Sequence, residues 1–89
     1  MMESFEVIIQ PSAYKELRTL HFEFQGRILR KIESLTGQAI PRGAVKLKDR
    51  ERIFRIRVGN YRIIYEIDID NKKVTIFRIR HRKDAYKSF

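Results

Sequence analysis

Apolar and polar positions along the chain change period once, which divides it into a helical part and a strand part. Phe5, Val7 and Ile9 alternate with Glu6 and Ile8, so residues 4–9 are expected to form a strand. Pro11 and Ser12 then open a helix, with Ser12 expected at the N-cap and Pro11 just outside it; Leu17 and Leu20 supply the apolar side. Phe24, Ile28, Ile32 and Leu35 recur at steps of four, four and three, a single helical stripe, and Gly37 is placed to end this second helix as its C′ residue. The link near residues 21–23 is short, which predicts an antiparallel helical hairpin. Pro41 and Gly43 mark an irregular stretch, and beyond it the period becomes two. Phe54 to Val58 alternates apolar and basic, Gly59-Asn60 is a two-residue turn signal, and Tyr61 to Ile67 reads as the returning strand. A turn over residues 68–72 leads to a last strand, Val74 to Ile79, and residues 81–86 form a polar tail. The order β-α-α-β-β-β predicts one α+β domain over residues 1–89, with the helical hairpin covering one face of a mainly antiparallel sheet.

A two-residue loop at Gly59-Asn60 dictates a register. Val58 should pair with Tyr61, Arg57 with Arg62, Ile56 with Ile63 and Arg55 with Ile64. Phe54, Ile56, Val58, Tyr61, Ile63 and Tyr65 then share the core face, which makes Tyr61 and Tyr65 structural, and Arg55, Arg57 and Arg62 share the opposite one. Like charges directly across a ladder are mildly destabilising, so Arg57 facing Arg62 suggests an anionic ligand above them; the alternative is a solvated face of splayed side chains, with Glu66 relieving part of the repulsion. A loop over residues 69–72 pairs Asp68 with Lys73, sends Val74 and Ile76 to the core, and places Thr75, Phe77, Ile79 and His81 beside Arg57 and Arg62.

Charge sharpens this picture. The 89 residues carry 20 Lys+Arg against 11 Asp+Glu, a formal net charge of +9. Residues 1–41 hold five basic and five acidic residues and residues 42–89 hold fifteen and six, so the whole excess lies in the second half. At 43% hydrophobic the chain is too apolar for a disordered basic tail, and a folded domain with one positive half fits a polyanion such as RNA or DNA, or an acidic protein. Cysteine is absent, which excludes a disulfide framework, a thiolate metal site and a Cys nucleophile. The acidic N-terminus lacks an export signal and no apolar run approaches the ~20 residues of a membrane helix, so a soluble cytoplasmic protein without membrane contact is expected. Asp68-x-Asp70-Asn71 lacks the central Gly and distal Glu of a calcium loop and reads as a simple turn. No metal-ligand spacing and no Gly-rich phosphate loop is present, and no cofactor is expected.

The run Lys46-Leu47-Lys48, the block from Phe54 to Ile67 containing R-V-G-x-Y-R-x-I-Y, and the H-R-x-D-x-Y tail from His81 to Tyr86 resemble the RelE/ParE toxin superfamily, in particular its RelE branch. The resemblance spans nearly the whole chain, and it implies a microbial-RNase-like α+β fold and a type II toxin–antitoxin system. RelE-branch toxins cut mRNA in the ribosomal A site and stop translation. The expected partners are therefore a cognate antitoxin that wraps the toxin, the ribosome with its mRNA, and operator DNA reached through the antitoxin complex. The family's basic strand positions are matched by Arg55 and Arg57, its Arg after the strand Tyr by Arg62, and its C-terminal Arg and Tyr by Arg82 and Tyr86. Some active relatives carry Lys where this chain has Arg55 and Arg57. Arginine stays protonated, so neither residue can serve as a general base.

Metal-free RNA cleavage needs a base for the 2′-OH proton, cations for the charge developing on phosphate, and an acid for the leaving 5′-oxygen. Arg57, Arg62, His81, Arg82 and Tyr86 are the expected catalytic residues, with Lys46, Lys48, Arg55 and Arg80 as expected contacts to RNA. The guanidinium forks match phosphate oxygens. His81, with an ordinary pKa near ~6.5, suits a base or an acid; capping the strand or stacking on RNA are its alternatives. Tyr86 suits base stacking or proton donation, or else clasps the tail to the domain. His21, at the helix turn, is expected to pack. Two other functions fit the same residues less fully: a ParE-like inhibitor of DNA gyrase, and a catalytically inactive basic RNA-binding domain.

Overall fold

The computed structural model describes residues 4–47, 51–81 and 83. Strand β1 (Glu6–Ile9) leads into helices α1 (Pro11–Arg18) and α2 (Phe22–Ser34), followed by strands β2 (Val45–Lys46), β3 (Ile53–Val58), β4 (Tyr61–Asp68) and β5 (Lys73–His81). The strands form one five-stranded sheet in the order β1-β5-β4-β3-β2. β1 runs parallel to β5, and every other neighbouring pair is antiparallel. The helical hairpin thus carries the chain from one sheet edge to the other across a single face. Among the described residues no helix is long and apolar enough to cross a membrane.

The core lies between the hairpin and that face. Ala13 and Leu17 of α1 and Ile28 and Ile32 of α2, with Leu35 just beyond, pack on Ile56, Ile63, Tyr65, Ile67, Val74, Ile76 and Ile79. The expected stripe of α2 is therefore the buried one, and all six residues expected on the core face of β3 and β4 belong to this cluster. Tyr65 is fully buried, and its hydroxyl donates to the Ala39 carbonyl at 2.9 Å, which ties the segment after α2 to the middle of the sheet. Burial pushes the Tyr65 phenol up to about 12.

Helix boundaries differ in detail from expectation. Gln10, not Ser12, occupies the N-cap of α1, and Pro11 is the first helical residue, where its fixed φ is preorganised and its missing N–H costs nothing. Ser12 Oγ instead donates to the Phe77 carbonyl on β5 at 3.2 Å. α2 ends in a right-handed Leu35 cap, so Gly37 is not its left-handed C′ residue. His21 is exposed at the N-cap of α2 rather than packed; its Nδ1 accepts from the Glu23 N–H at 3.4 Å. The stretch expected to be irregular contains β2, which extends the sheet beyond β3.

The β3–β4 register is the expected one at every position from Arg55 to Ile64. Gly59 takes φ +59°, the left-handed region in which glycine avoids a Cβ clash, while Asn60 does not, the φ pattern of a II′ turn. The β4–β5 ladder begins as expected, with Asp68 opposite Lys73, Ile67 opposite Val74 and Tyr65 opposite Ile76. A bulge then intervenes: Ile64 faces Arg78, so Phe77 is the extra residue. Every later side chain of β5 changes face. Ile79 joins the core opposite Ile63 and His81 lies opposite Tyr61, which corrects the expectation that both stand beside Arg57 and Arg62. An unbulged ladder would have driven Arg78 and Arg80 under the helices, where desolvation of the guanidinium groups is costly.

Candidate functional site

The face of the sheet away from the helices carries an ordered block of arginines. Arg57, Arg62 and Arg80 lie directly opposite one another on three adjacent strands, and the next row is Arg55, Ile64 and Arg78. The first row grades in exposure: Arg57 is exposed, Arg80 half-buried, and Arg62 only 6% exposed. Ile64 is fully buried although it points away from the main core. Its ladder neighbours are arginines, whose aliphatic stems can cover an apolar side chain while their charged ends stay outward.

Among the described residues, a carboxylate enters this block from the helix layer. β1 pairs with β5 only as far as Ile76, and beyond that point α1 lies along the outer edge of β5. Ser12 and Glu16, one turn apart on α1, supply the partners that β1 no longer offers. Glu16 Oε1 accepts from the Ile79 N–H at 2.9 Å. Its Oε2 lies 2.6 Å from Arg80 Nε and 3.8 Å from Arg78 Nη1.

The remaining expected site residues are distributed as follows. His81 is half-buried on the helix side; its ring meets Tyr61 edge-on at 5.6 Å, and Tyr61 in turn contacts Phe24 at 5.4 Å. Its Nδ1 accepts from the Lys83 N–H at 3.3 Å, which orients the ring at the strand end. Lys46 pairs with Phe54 and so faces away from the arginines, into a cleft of about 420 Å³ shared with Ile40, Ile67 and Ile69. Lys48, Arg82 and Tyr86 lie outside the described residues. Glu66 shares the arginine face but is paired with Ile53 and Thr75, one step beyond the block.

The Asp68 turn has the bonding of a simple turn. The carboxylate accepts from the Asn71 N–H at 3.1 Å and from its Nδ2 at 2.8 Å. These bonds hold the Asp68 carboxyl below its ordinary value of 3.8. Among the described residues no three His, Cys, Asp or Glu side chains are grouped so that they could hold a metal ion.

Arg78 and Glu16 were not expected at this site. A signal for Arg78 exists in the apolar phase of β5, which switches from Val74 and Ile76 to Phe77 and Ile79 and so requires one extra residue. No local pattern marks Glu16, because its partners are more than sixty residues away.

Chemically, a row of guanidinium groups at sheet spacing offers fixed forks of donors to successive phosphate oxygens. Comparisons with known proteins agree with this fold. A family model described as the ParE toxin of the type II toxin–antitoxin system parDE matches residues 7–86. A Methanocaldococcus jannaschii protein named as toxin RelE1 is 29% identical over 87 residues, covering 94% of this chain and 97% of that protein. A chain of the archaeal RelE–RelB complex from Pyrococcus horikoshii OT3 superposes with a TM-score of 0.81 at 26% identity, over 92% of this chain and 99% of that one. A chain of the toxin–antitoxin complex RelBE2 from Mycobacterium tuberculosis gives 0.78 at 25% identity, over 89% and 99%. The α+β architecture, the strand block around Arg57 and Arg62 and the match over nearly the whole chain together place this protein in the ParE-toxin family of type II toxin–antitoxin systems, within the RelE/ParE superfamily.

Proposed function

We propose that this toxin acts as a metal-independent endoribonuclease that cuts mRNA in the ribosomal A site and so stops translation in the cytoplasm. The observation that supports the reading is the Arg57–Arg62–Arg80 row, three guanidinium side chains opposite one another on adjacent strands. In the proposed reaction the 2′-oxygen of one nucleotide attacks the adjacent phosphorus while a base removes its proton. The P–O5′ bond breaks, and an acid protonates the departing 5′-oxygen. The guanidinium groups neutralise the charge that accumulates on the non-bridging oxygens, where one such contact is worth roughly 2–4 kcal/mol in the transition state. Arg57, being exposed, is suited to meet the backbone first; Arg62 and Arg80 are held more firmly behind it. Neither Arg55 nor Arg57 can take the first proton. Tyr86 is the proposed proton-transfer group, Arg82 a further phosphate ligand, and Arg55 with Lys48 contacts to RNA beyond the scissile bond. His81 and Lys46, expected in those roles from sequence, lie across the sheet from the arginine row and are not assigned to the same phosphate.

The proposed partner is a cognate antitoxin with an acidic or amphipathic segment, able to cover a surface of net charge +9. The similar structure from Pyrococcus horikoshii OT3 is a complex of RelE with RelB, which supports such a partner here. The toxin–antitoxin complex would in turn reach operator DNA.

A second reading, inhibition of DNA gyrase, is favoured by the family model, which is described for the ParE toxin. The two separate experimentally. Primer extension on cellular mRNA after induction should show new 5′ ends within coding sequence. Growth arrest with intact messages, together with loss of supercoiling activity when purified protein is added to gyrase, would replace the first reading with the second. Unimpaired growth would leave only RNA binding.

A further inference from the structure

We infer that the basic stripe of α2, formed by Arg27, Arg30 and Lys31, is a second stretch of RNA-binding surface, onto which a strand leaving the arginine row passes around the β3–β4 turn. This rests on the reading that RNA lies over the arginine row, and it needs binding there but not cleavage. The three cations stand at i, i+3 and i+4 on one side of the helix, with about 5–6 Å between neighbouring Cβ atoms. With Ser34 they line a hollow of about 320 Å³. Arg27 and Arg30 are exposed and Lys31 is half-buried, and among the described residues none of the three has an ion-pair partner. Arg27 links the stripe to the sheet. Glu23 stands one turn before it, the favourable order for a helical ion pair, yet the guanidinium lies over the β3–β4 turn instead. A Cβ on Gly59 would sit 3.5 Å from its Nη2 and 3.6 Å from its Nη1. Gly59 is two residues beyond the exposed Arg57, roughly 7 Å of extended chain. Positive charge thus runs from the arginine row over the turn and onto the helix layer.

Helix energetics do not account for the stripe. Lys31 lies in the last turn, where the helix dipole favours a cation, but Arg27 and Arg30 lie in the interior, and like charges at these spacings repel. The composition of the hollow selects the ligand. The described residues that line it are Arg27, Arg30, Lys31 and Ser34, without an apolar side chain or a carboxylate. A protein partner needs an apolar centre to its interface, whereas a nucleic-acid backbone is met by a polar, strongly positive surface. The Ser34 hydroxyl donates to the Lys31 carbonyl at 2.6 Å, so the three cations supply the donors. Such contacts position a strand by its phosphates and carry no sequence information.

The test titrates the purified chain with two 2′-O-methyl RNA strands, which lack the attacking hydroxyl and stay whole. One is a trinucleotide, short enough for the arginine row alone; the other is a dodecanucleotide, long enough to cross the turn. The variant Arg27→Gln/Arg30→Gln/Lys31→Gln keeps side chains of good helix propensity. It should bind the long strand at least about tenfold more weakly, with a log–log salt slope shallower by about 2, roughly 0.7 for each of three lost contacts. Binding of the trinucleotide should change by less than about twofold, since its phosphates meet only the sheet. Arg30→Gln alone should lower the long-strand slope by about 0.7. The charge-matched variant Arg18→Gln/Arg42→Gln/Arg52→Gln, at exposed positions outside the stripe, should stay within about threefold of wild type on the long strand. Unchanged long-strand binding by the stripe variant overturns the inference and leaves the stripe to an acidic protein. An equal loss on both strands, or an equal loss in the charge-matched variant, overturns it as well. Wild-type protein that binds both strands as expected but leaves ribosome-bound mRNA whole overturns only the endoribonuclease reading.

Discussion

Arg62 of β4 faces Arg80 of β5 directly across the ladder, and it does so because Phe77 is looped out as the extra residue of a bulge. With Arg57 on the other side, Arg62 becomes the centre of three like charges in line. Such pairs cost a few tenths of a kcal/mol up to about 1 kcal/mol each in a solvated sheet, a burden that an anionic ligand removes.

Arg57 tests the ligand side of that relationship. Because it is exposed, Arg57→Ala should leave the unfolding free energy within about 0.5 kcal/mol of wild type, or raise it slightly by relieving repulsion. Cleavage should fall by about two to three orders of magnitude. The salt dependence of binding to single-stranded RNA should become shallower by about 0.7 in log–log slope, the loss of one phosphate contact. Urea unfolding and binding titrations at several salt concentrations check both; loss of stability with an unchanged slope would contradict a phosphate-binding role.

Ile64 tests how the arginines are supported. It is fully buried within the second row, between Arg55 and Arg78. Ile64→Ala should lower stability by roughly 2–4 kcal/mol, as expected for a truncated buried isoleucine. It should also slow cleavage, since the neighbouring stems lose the surface they lie on. Full activity in a destabilised variant would show that the row aligns without this support.

Tyr65 links pH to stability. Its phenol titrates at about 12 in the folded protein against 10.0 ordinarily, because burial disfavours the charged form. The folded value is raised, so the contribution is complete below pH 10 and disappears as pH rises from 10 to 12, a loss on the order of 2 kcal/mol. Tyr65→Phe should unfold at lower denaturant concentration at neutral pH, by about 1–2 kcal/mol, because the Ala39 carbonyl loses its donor. It should lack the alkaline decline between those limits, which thermal melts from pH 8 to 12 would reveal.

Asp68 acts at the opposite end of the scale. Asn71 holds its carboxyl below the ordinary 3.8, so its stabilising contribution is present above that value and is lost as pH falls through the lowered one. Asp68→Ala should lower the melting temperature at neutral pH and flatten the acid limb of its pH dependence. Superimposable acid limbs in melts from pH 2 to 5 would show that the turn is not held by this carboxylate.

Much of this was legible in the chain. The stripe from Phe24 to Leu35, the Gly59-Asn60 turn and the pairing of Arg57 with Arg62 all follow from short-range periodicity and a two-residue loop, because such a loop leaves a single register that buries the apolar face. The apolar phase of β5 also carried the bulge, in the shift from Ile76 to Phe77 and Ile79, although simple alternation overlooks it.

Local pattern determined which residues form helices and strands, which face of β3 and β4 is buried, and where the positive charge resides. Tertiary structure alone decided that β1 joins β5 in parallel, that it stops at Ile76, and that Glu16 therefore closes the open edge and meets Arg80. It also decided that His81 and Lys46 lie across the sheet from the arginine row. The physical reason is range. Turn geometry and periodicity act over a few residues, whereas the end of one strand, and the backbone groups it leaves to be satisfied, depend on packing between segments far apart in the chain.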